Sequence, residues 1–222
     1  MDEYCEKVKD ILKNILKNDT IDIHFIPGGT QVNLICISSF LRQHEAAIAA
    51  NTGHIAVHET GAIESCGHKV ITVNSNDGKL NKKMIENILK IYNDEHMVKP
   101  KLVYISNSTE IGIIYSKKEL TNLYSFCKEN NLIFFIDGAR IGYAITSTEN
   151  DLLLSDLVNL CPAFYIGGTK NGSLFGEELI ICNENLKEGF RYNIKQKGAL
   201  LAKGRLLGIQ FIELFKDNLF LI

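Results

Sequence analysis

The chain has 222 residues, with 24 Lys+Arg against 26 Asp+Glu, a formal charge of -2, and 45% hydrophobic and 23% charged residues. That balance excludes wide disorder and lacks the basic excess of a dedicated nucleic-acid binder. No apolar run reaches the ~18 residues of a membrane-spanning helix, and a chain this long buries a core without disulfide staples.

In chain order, residues 2–16 set Val8, Ile11, Leu12, Ile15 and Leu16 at helical spacing. No cap or leading loop is evident before this helix. The alternating Ile21, Ile23 and Phe25 predict a strand, stopped by Pro27-Gly28-Gly29. Residues 30–42 read as an apolar helix. AAIAA at 46–50 is a buried strand or a helix end; periodicity does not choose. Strands are predicted at 68–73, 101–106, 132–137, 163–168 and 177–183. Helices are predicted at 80–89, 117–130 and 152–160, with a last one over 209–220 that includes Leu206 and Leu207. Strands apolar on both faces, alternating with helices, indicate an α/β domain with a mainly parallel sheet covered on both sides. No repeat or linker divides it.

The six cysteines are scattered singly, without C-x-x-C. They read as reduced thiols in apolar runs. The start, MDEYCEKVKD, is unlike a signal peptide, so the cytoplasm is the expected location.

In such sheets ligands sit beyond the carboxyl ends of the strands, and four segments are expected to meet there. Gly28-Gly29-Thr30-Gln31 joins a strand to a helix, whose free N–H groups suit an anion. It matches neither G-x-G-x-x-G nor G-x-x-x-x-G-K-[ST], which disfavours a nucleotide-binding module. Asp137 ends the LIFFID strand, where a buried carboxylate needs a cation or donors. It is aimed at a protonated ring nitrogen or a metal, or it caps the next segment. Arg140 offers a fork for a carboxylate or phosphate, or pairs with Asp137. Lys170 lies in the Gly-rich turn 167–172 and is a candidate amine nucleophile, or an exposed loop lysine. His54 and His58 are spaced i, i+4, but H-E-x-x-H is unmatched, so no metal is expected. An imidazole lying over a cofactor ring, or a partly buried His with a hydrogen-bond partner, are the other readings. Together these parts suit pyridoxal 5′-phosphate: a phosphate cup, a carboxylate for the ring nitrogen, an amine for the aldehyde and a flat ring.

The order of motifs resembles the threonine aldolase and aromatic amino acid β-eliminating lyase family of fold-type-I pyridoxal phosphate enzymes. The resemblance runs from Ile21 to Phe215. IPGGTQVN resembles the family's phosphate cup, carried by Gly29, Thr30 and Gln31. HETGAIE resembles its His-Glu-x-Gly motif, which implies that His58 stacks on the ring and serves as base. IDGAR resembles the segment with Asp137 at the ring nitrogen and Arg140 toward the substrate carboxylate. Lys170 falls where the Schiff-base lysine is expected. Arg191, Lys195 and Gln196 are implied to lie near the phosphate, across a subunit interface.

The resemblance implies a lyase that cleaves a β-hydroxy amino acid to glycine and an aldehyde, working as a homodimer or homotetramer. Another lyase or an aminotransferase on the same fold, or a non-catalytic remnant, are the alternatives. The sequence departs from the family in three ways. Asn107-Ser108-Thr109-Glu110 stands where many relatives carry a second His, leaving Glu110 or water to substitute. Neither an N-terminal arm nor a C-terminal small domain is evident. Residues 1–222 are therefore expected to be the cofactor-binding large domain.

Overall fold

The computed structural model describes residues 2–216. Helix α1 (Glu3–Leu16) buries Cys5, Val8, Leu12 and Leu16, one face at helical spacing. Its start corrects the sequence reading. Asp2 is an N-cap, its carboxylate accepting from the Cys5 N–H at 3.0 Å. Strand β1 (Asp22–Ile26) leads into α2 (Gly29–Phe40), which starts one residue earlier than expected and ends two residues sooner.

The segment left open at 46–50 is strand β2 (Glu45–Ala50), with all six residues buried. Two short helices follow, α3 (His54–Val57) and α4 (Ala62–Ser65), then β3 (Val70–Val73) and α5 (Lys82–Ile91). Strand β4 (Lys99–Ser106) and β5 (Ile133–Asp137) flank α6 (Lys117–Glu129), which begins with a Ser116/Glu119 capping box. Helix α7 (Ile141–Thr146) comes next. The helix expected at 152–160 divides into a 3-10 turn (Leu154–Asp156) and α8 (Leu157–Leu160). Strands β6 (Ala163–Gly167) and β7 (Glu177–Ile181) precede α9 (Phe190–Gln196) and α10 (Arg205–Phe215). Helix α10 begins earlier than the predicted 209; the predicted portion at 217–220 lies outside the described residues.

The seven strands form one sheet in the order β1-β7-β6-β5-β4-β2-β3. Pairs β2–β3, β2–β4, β4–β5 and β5–β6 are parallel, whereas β7 runs antiparallel to both β1 and β6. This is the mainly parallel sheet that the apolar runs indicate. One face carries a core of Val8, Leu12, Leu120, Leu123, Phe164 and Phe211, drawn from α1, α6, β6 and α10. The other packs Val32, Ile35, Ile55, Phe135, Tyr165 and Phe190, drawn from α2, α3, β5, β6 and α9. Burial at ~25 cal/mol per Å² of apolar surface on both faces is what holds these layers together.

Topology positions the site. Strands β1, β2, β4, β5 and β6 all point their carboxyl ends at one edge. Because β7 runs the other way, its first residue, Glu177, arrives at that same edge, in register with Ile26 and Gly167.

Candidate active site

A cavity of about 260 Å³ opens at this edge, lined by Gly28, Gly29, Thr30, His54, Asp137, Arg140, Lys170 and Glu177 among others. Four of the sequence segments therefore meet, as expected. The details differ residue by residue.

Asp137 ends β5 with only 3% exposure. Its Oδ2 accepts from the Tyr104 hydroxyl at 2.5 Å and the Asn33 amide at 3.1 Å. Its Oδ1 accepts from the Tyr165 hydroxyl at 2.5 Å and the Ala139 N–H at 3.0 Å. Donors therefore satisfy this buried carboxylate, and no cation is paired with it among the described residues. The ion pair with Arg140 weighed from the sequence does not form; the local bond to Ala139 N–H does. Burial, together with the Asp137 charge, pushes both tyrosine hydroxyls well above their ordinary pKa, keeping them as donors.

Close backbone packing lets these strand ends meet. A Cβ on Gly138 would lie 1.7 Å from the Tyr165 carbonyl oxygen, and one on Gly167 would lie 2.6 Å from the Ala139 backbone. Only hydrogen fits at either position.

Helix α2 presents its N-terminus to the cavity. Its N-cap, Gly28, provides no side-chain cap, and its first turn holds no acid. The first helix bond is from Val32 N–H to Gly28 C=O, so the Gly29, Thr30 and Gln31 amides lack helical acceptors. Gly28 has open space around it. Gly29 and Thr30 line the cavity. Gln31 does not: its side-chain amide donates to the Lys197 carbonyl at 3.0 Å, tying α2 to the end of α9.

The histidine assignment needs correcting. His58 is exposed and does not line the cavity; His54 does. Gly53 caps the start of α3, and the turn from His54 to His58 leaves the two rings in tilted contact, 5.5 Å between centroids at 51°, with only His54 reaching the cavity. His54 Nδ1 donates to Glu59 Oε1 at 2.8 Å. That bond, against the opposing effect of burial, raises the imidazole pKa above 6.5. The 6%-exposed Glu59 also accepts from Asn33 at 2.7 Å, so Asn33 bridges Glu59 to Asp137. Glu110 does not reach the cavity lining. It accepts from the His54 N–H at 2.9 Å and the Ser106 hydroxyl at 2.6 Å, and so anchors the start of α3.

Lys170 is exposed, its carbonyl accepting from Tyr143 at 2.9 Å. Among the described residues neither its ammonium nor the Arg140 guanidinium has an ion-pair or hydrogen-bond partner. Arg191, Lys195 and Gln196 are exposed on α9 and line no part of this cavity.

Sequence reading missed Asn33, Tyr104, Tyr165 and Glu177. The tyrosines are lodged in apolar strands where a hydroxyl reads as core. Glu177 carried one signal, an acid pair opening an apolar strand.

The sequence profile of the family described as beta-eliminating lyase matches residues 1–209. The chain belongs to the beta-eliminating lyase family. Among curated members, the low specificity L-threonine aldolase of Pseudomonas sp. (strain NCIMB 10558) is 32% identical over 226 residues, covering 99% of this chain and 64% of that protein. The solved threonine aldolase of Leishmania major superimposes with a TM-score of 0.98 at 53% identity, covering 100% of this chain and 65% of that one. A histidinol-phosphate aminotransferase of Clostridium acetobutylicum, TM-score 0.71 at 15% identity, shares the fold. The chain thus spans less than two thirds of the length of these relatives. Among its described residues, no helix is long and apolar enough to cross a membrane.

The cavity fits the cofactor of this family on its own chemistry. The uncapped α2 N-terminus offers amides to a phosphate. The Lys170 amine is unpaired and available to an aldehyde. Asp137 carries negative charge with no neutralising cation, which suits a protonated ring nitrogen. That N–H would join or displace one of the four donors already on the carboxylate, and its charge favours the exchange.

Proposed function

We propose that residues 1–222 are the cofactor-binding large domain of a pyridoxal 5′-phosphate-dependent carbon–carbon lyase. It would cleave a β-hydroxy amino acid of the threonine type to glycine and an aldehyde. The observation that carries this reading is the convergence of Lys170, Asp137, Arg140 and His54 on one cavity beside the open N-terminus of α2. The likeness to threonine aldolases supports the choice of reaction.

When bound, the cofactor supplies a protonated aromatic ring that takes up the electron pair of a breaking bond at Cα. The protein's own groups then have distinct tasks. Gly29 and Thr30 hold the phosphate through backbone N–H groups and the Thr30 hydroxyl. Lys170 offers the amine that attaches the aldehyde. Asp137 keeps the proton on the ring nitrogen, and the Tyr104 and Tyr165 donors fix its carboxylate. The unpaired Arg140 guanidinium binds the substrate carboxylate.

His54, in place of His58, would help hold the cofactor and would take the hydroxyl proton. Because Nδ1–H is committed to Glu59, Nε2 carries the lone pair and faces the reaction as a base. The assembly is proposed to be a homodimer or homotetramer in the cytoplasm, with a free amino acid as substrate.

The test is a visible spectrum of the chain with added pyridoxal phosphate, then borohydride reduction and peptide mapping. An adduct on Lys170, lost in Lys170→Ala, is expected. An adduct on another lysine would overturn the assignment. Glycine plus an aldehyde from a β-hydroxy amino acid would support the aldolase reaction, and ammonia plus a keto acid would replace it with β-elimination.

A further inference from the structure

Glu177 is assigned no task in the reaction above, yet it is the second carboxylate on the cavity, 4% exposed. Its Oε2 accepts from the Gly168 N–H and its Oε1 from the Thr169 hydroxyl, both at 2.8 Å. Those are the two residues immediately before Lys170. Other bonds hold the rest of the turn, among them Tyr143 to the Lys170 carbonyl, Ser173 N–H to the Gly168 carbonyl and Leu174 N–H to Gln210. Among the described residues, however, Glu177 is the one carboxylate that grips the two residues before Lys170. The Gly168 N–H also reaches the Gly176 carbonyl at 3.1 Å, and the Thr169 hydroxyl accepts from the Gly176 N–H at 3.2 Å. Downstream, Asn171 N–H bonds to Gly168 C=O at 2.8 Å and the Asn171 side chain to Gly167 C=O at 2.6 Å. The carboxylate therefore clasps the stem of the turn, and β7 supplies a rigid base for it.

The geometry points to Glu177 as a positioning residue that fixes the lysine-bearing turn when ionised and releases it when protonated. This rests on the reading of Lys170 as the cofactor-binding amine. An ionised carboxylate accepts on both oxygens; a protonated one turns one oxygen into a donor and gives up an acceptor. The release falls in an accessible range, because burial pushes the Glu177 pKa up to about 7 against the pull of its two donors. The charged and titratable groups around it are Asp137 from β5, Tyr165 from β6 and Lys170 from the turn. His54 and Arg140 share the cavity, and Glu178 follows on the opposite face of β7.

The experiment measures amide hydrogen exchange in the 168–176 peptide of the cofactor-free chain from pH 5.5 to 8.5, corrected for intrinsic rates. Trapping of pyridoxal phosphate on Lys170 by borohydride is followed over the same range. Wild-type exchange should rise about three- to tenfold as pH falls through about 7, and trapping should slow in parallel. Glu177→Gln should flatten the exchange profile and remove the step near 7 from the trapping profile, leaving only the steady fall with pH that the lysine amine and borohydride themselves impose. Thr169→Val, which leaves the carboxylate in place, should weaken the pH dependence and move its midpoint upward, because the Thr169 hydroxyl holds the Glu177 pKa down. A flat wild-type exchange profile, or an unchanged one in Glu177→Gln, overturns the clasp. Trapping at a lysine other than Lys170 instead overturns the reading on which the clasp rests, whatever the exchange data say.

Discussion

His54 Nδ1 and Glu59 Oε1 lie 2.8 Å apart, and this single bond picks out one histidine of two. Glu59 is itself fixed by Asn33, which reaches on to Asp137, so the imidazole, two carboxylates and an amide form one connected network. His58, one turn on, is exposed and outside it.

The two histidines should therefore respond differently. His54→Phe should lower the rate of the proposed aldol cleavage by about 10²-fold or more, while His58→Phe should leave it near wild type. The reverse pattern in steady-state rates would return the base role to His58.

Glu59→Gln should bring the His54 pKa back toward 6.5, because the hydrogen bond to a charged acceptor is the main cause of its rise. A raised native pKa means that the folded state holds this proton more tightly than the unfolded chain. The stability so gained is complete below 6.5 and is lost as pH climbs through the raised value. Titration of the imidazole ring protons by NMR in the two proteins measures the shift.

Asp137→Ala should destabilise the fold by about 2–4 kcal/mol, since it leaves Tyr104, Tyr165 and Asn33 as buried donors without their acceptor. Urea unfolding of the cofactor-free chain tests this apart from catalysis. A loss below about 0.5 kcal/mol would mean that the donors find water or other partners.

Glu178 is fully buried, and among the described residues neither carboxylate oxygen has a hydrogen-bond partner. Burial, then the charge of Glu177, drives its pKa well above 4.5. The native state keeps this proton while the unfolded chain loses it above 4.5, so stability falls as pH rises. Glu177 adds a similar slope between 4.5 and about 7; on the alkaline side Glu178 shares the slope with His54. Glu178→Met should stabilise the chain by about 1–3 kcal/mol at pH 8 and flatten the alkaline limb of a stability-versus-pH curve.

Gly138→Ala should be far more damaging than a helix-surface change. The added carbon would sit 1.7 Å from the Tyr165 carbonyl, so β5 and β6 would have to part at the point where Asp137 emerges. A loss of about 3 kcal/mol or more is expected, measurable as a lowered urea midpoint.

Much of this was legible along the chain. LIFFID and AFYIGG announce buried parallel strands because both faces must be apolar. Asp137 and Lys170 announce themselves as polar groups at the ends of such strands. IPGGTQ signals an open helix start because glycine leaves its amides uncovered. Local order thus follows from local chemistry, and the order of the segments carried the family resemblance.

Tertiary structure decided the rest. His54 and His58 share a short stretch with the same local signals, and only the exit of α3 from β2 turns one ring inward. Gln31 follows Thr30 but is drawn to Lys197, an acceptor 166 residues away. Glu177 and Glu178 are chemically identical neighbours; the alternation of β7 sends one to the cavity and the other into the opposite core. That β7 runs against the other strands is what brings Glu177 to the edge where they end. Periodicity fixes which faces are apolar, whereas strand direction and pairing are set by packing between distant segments.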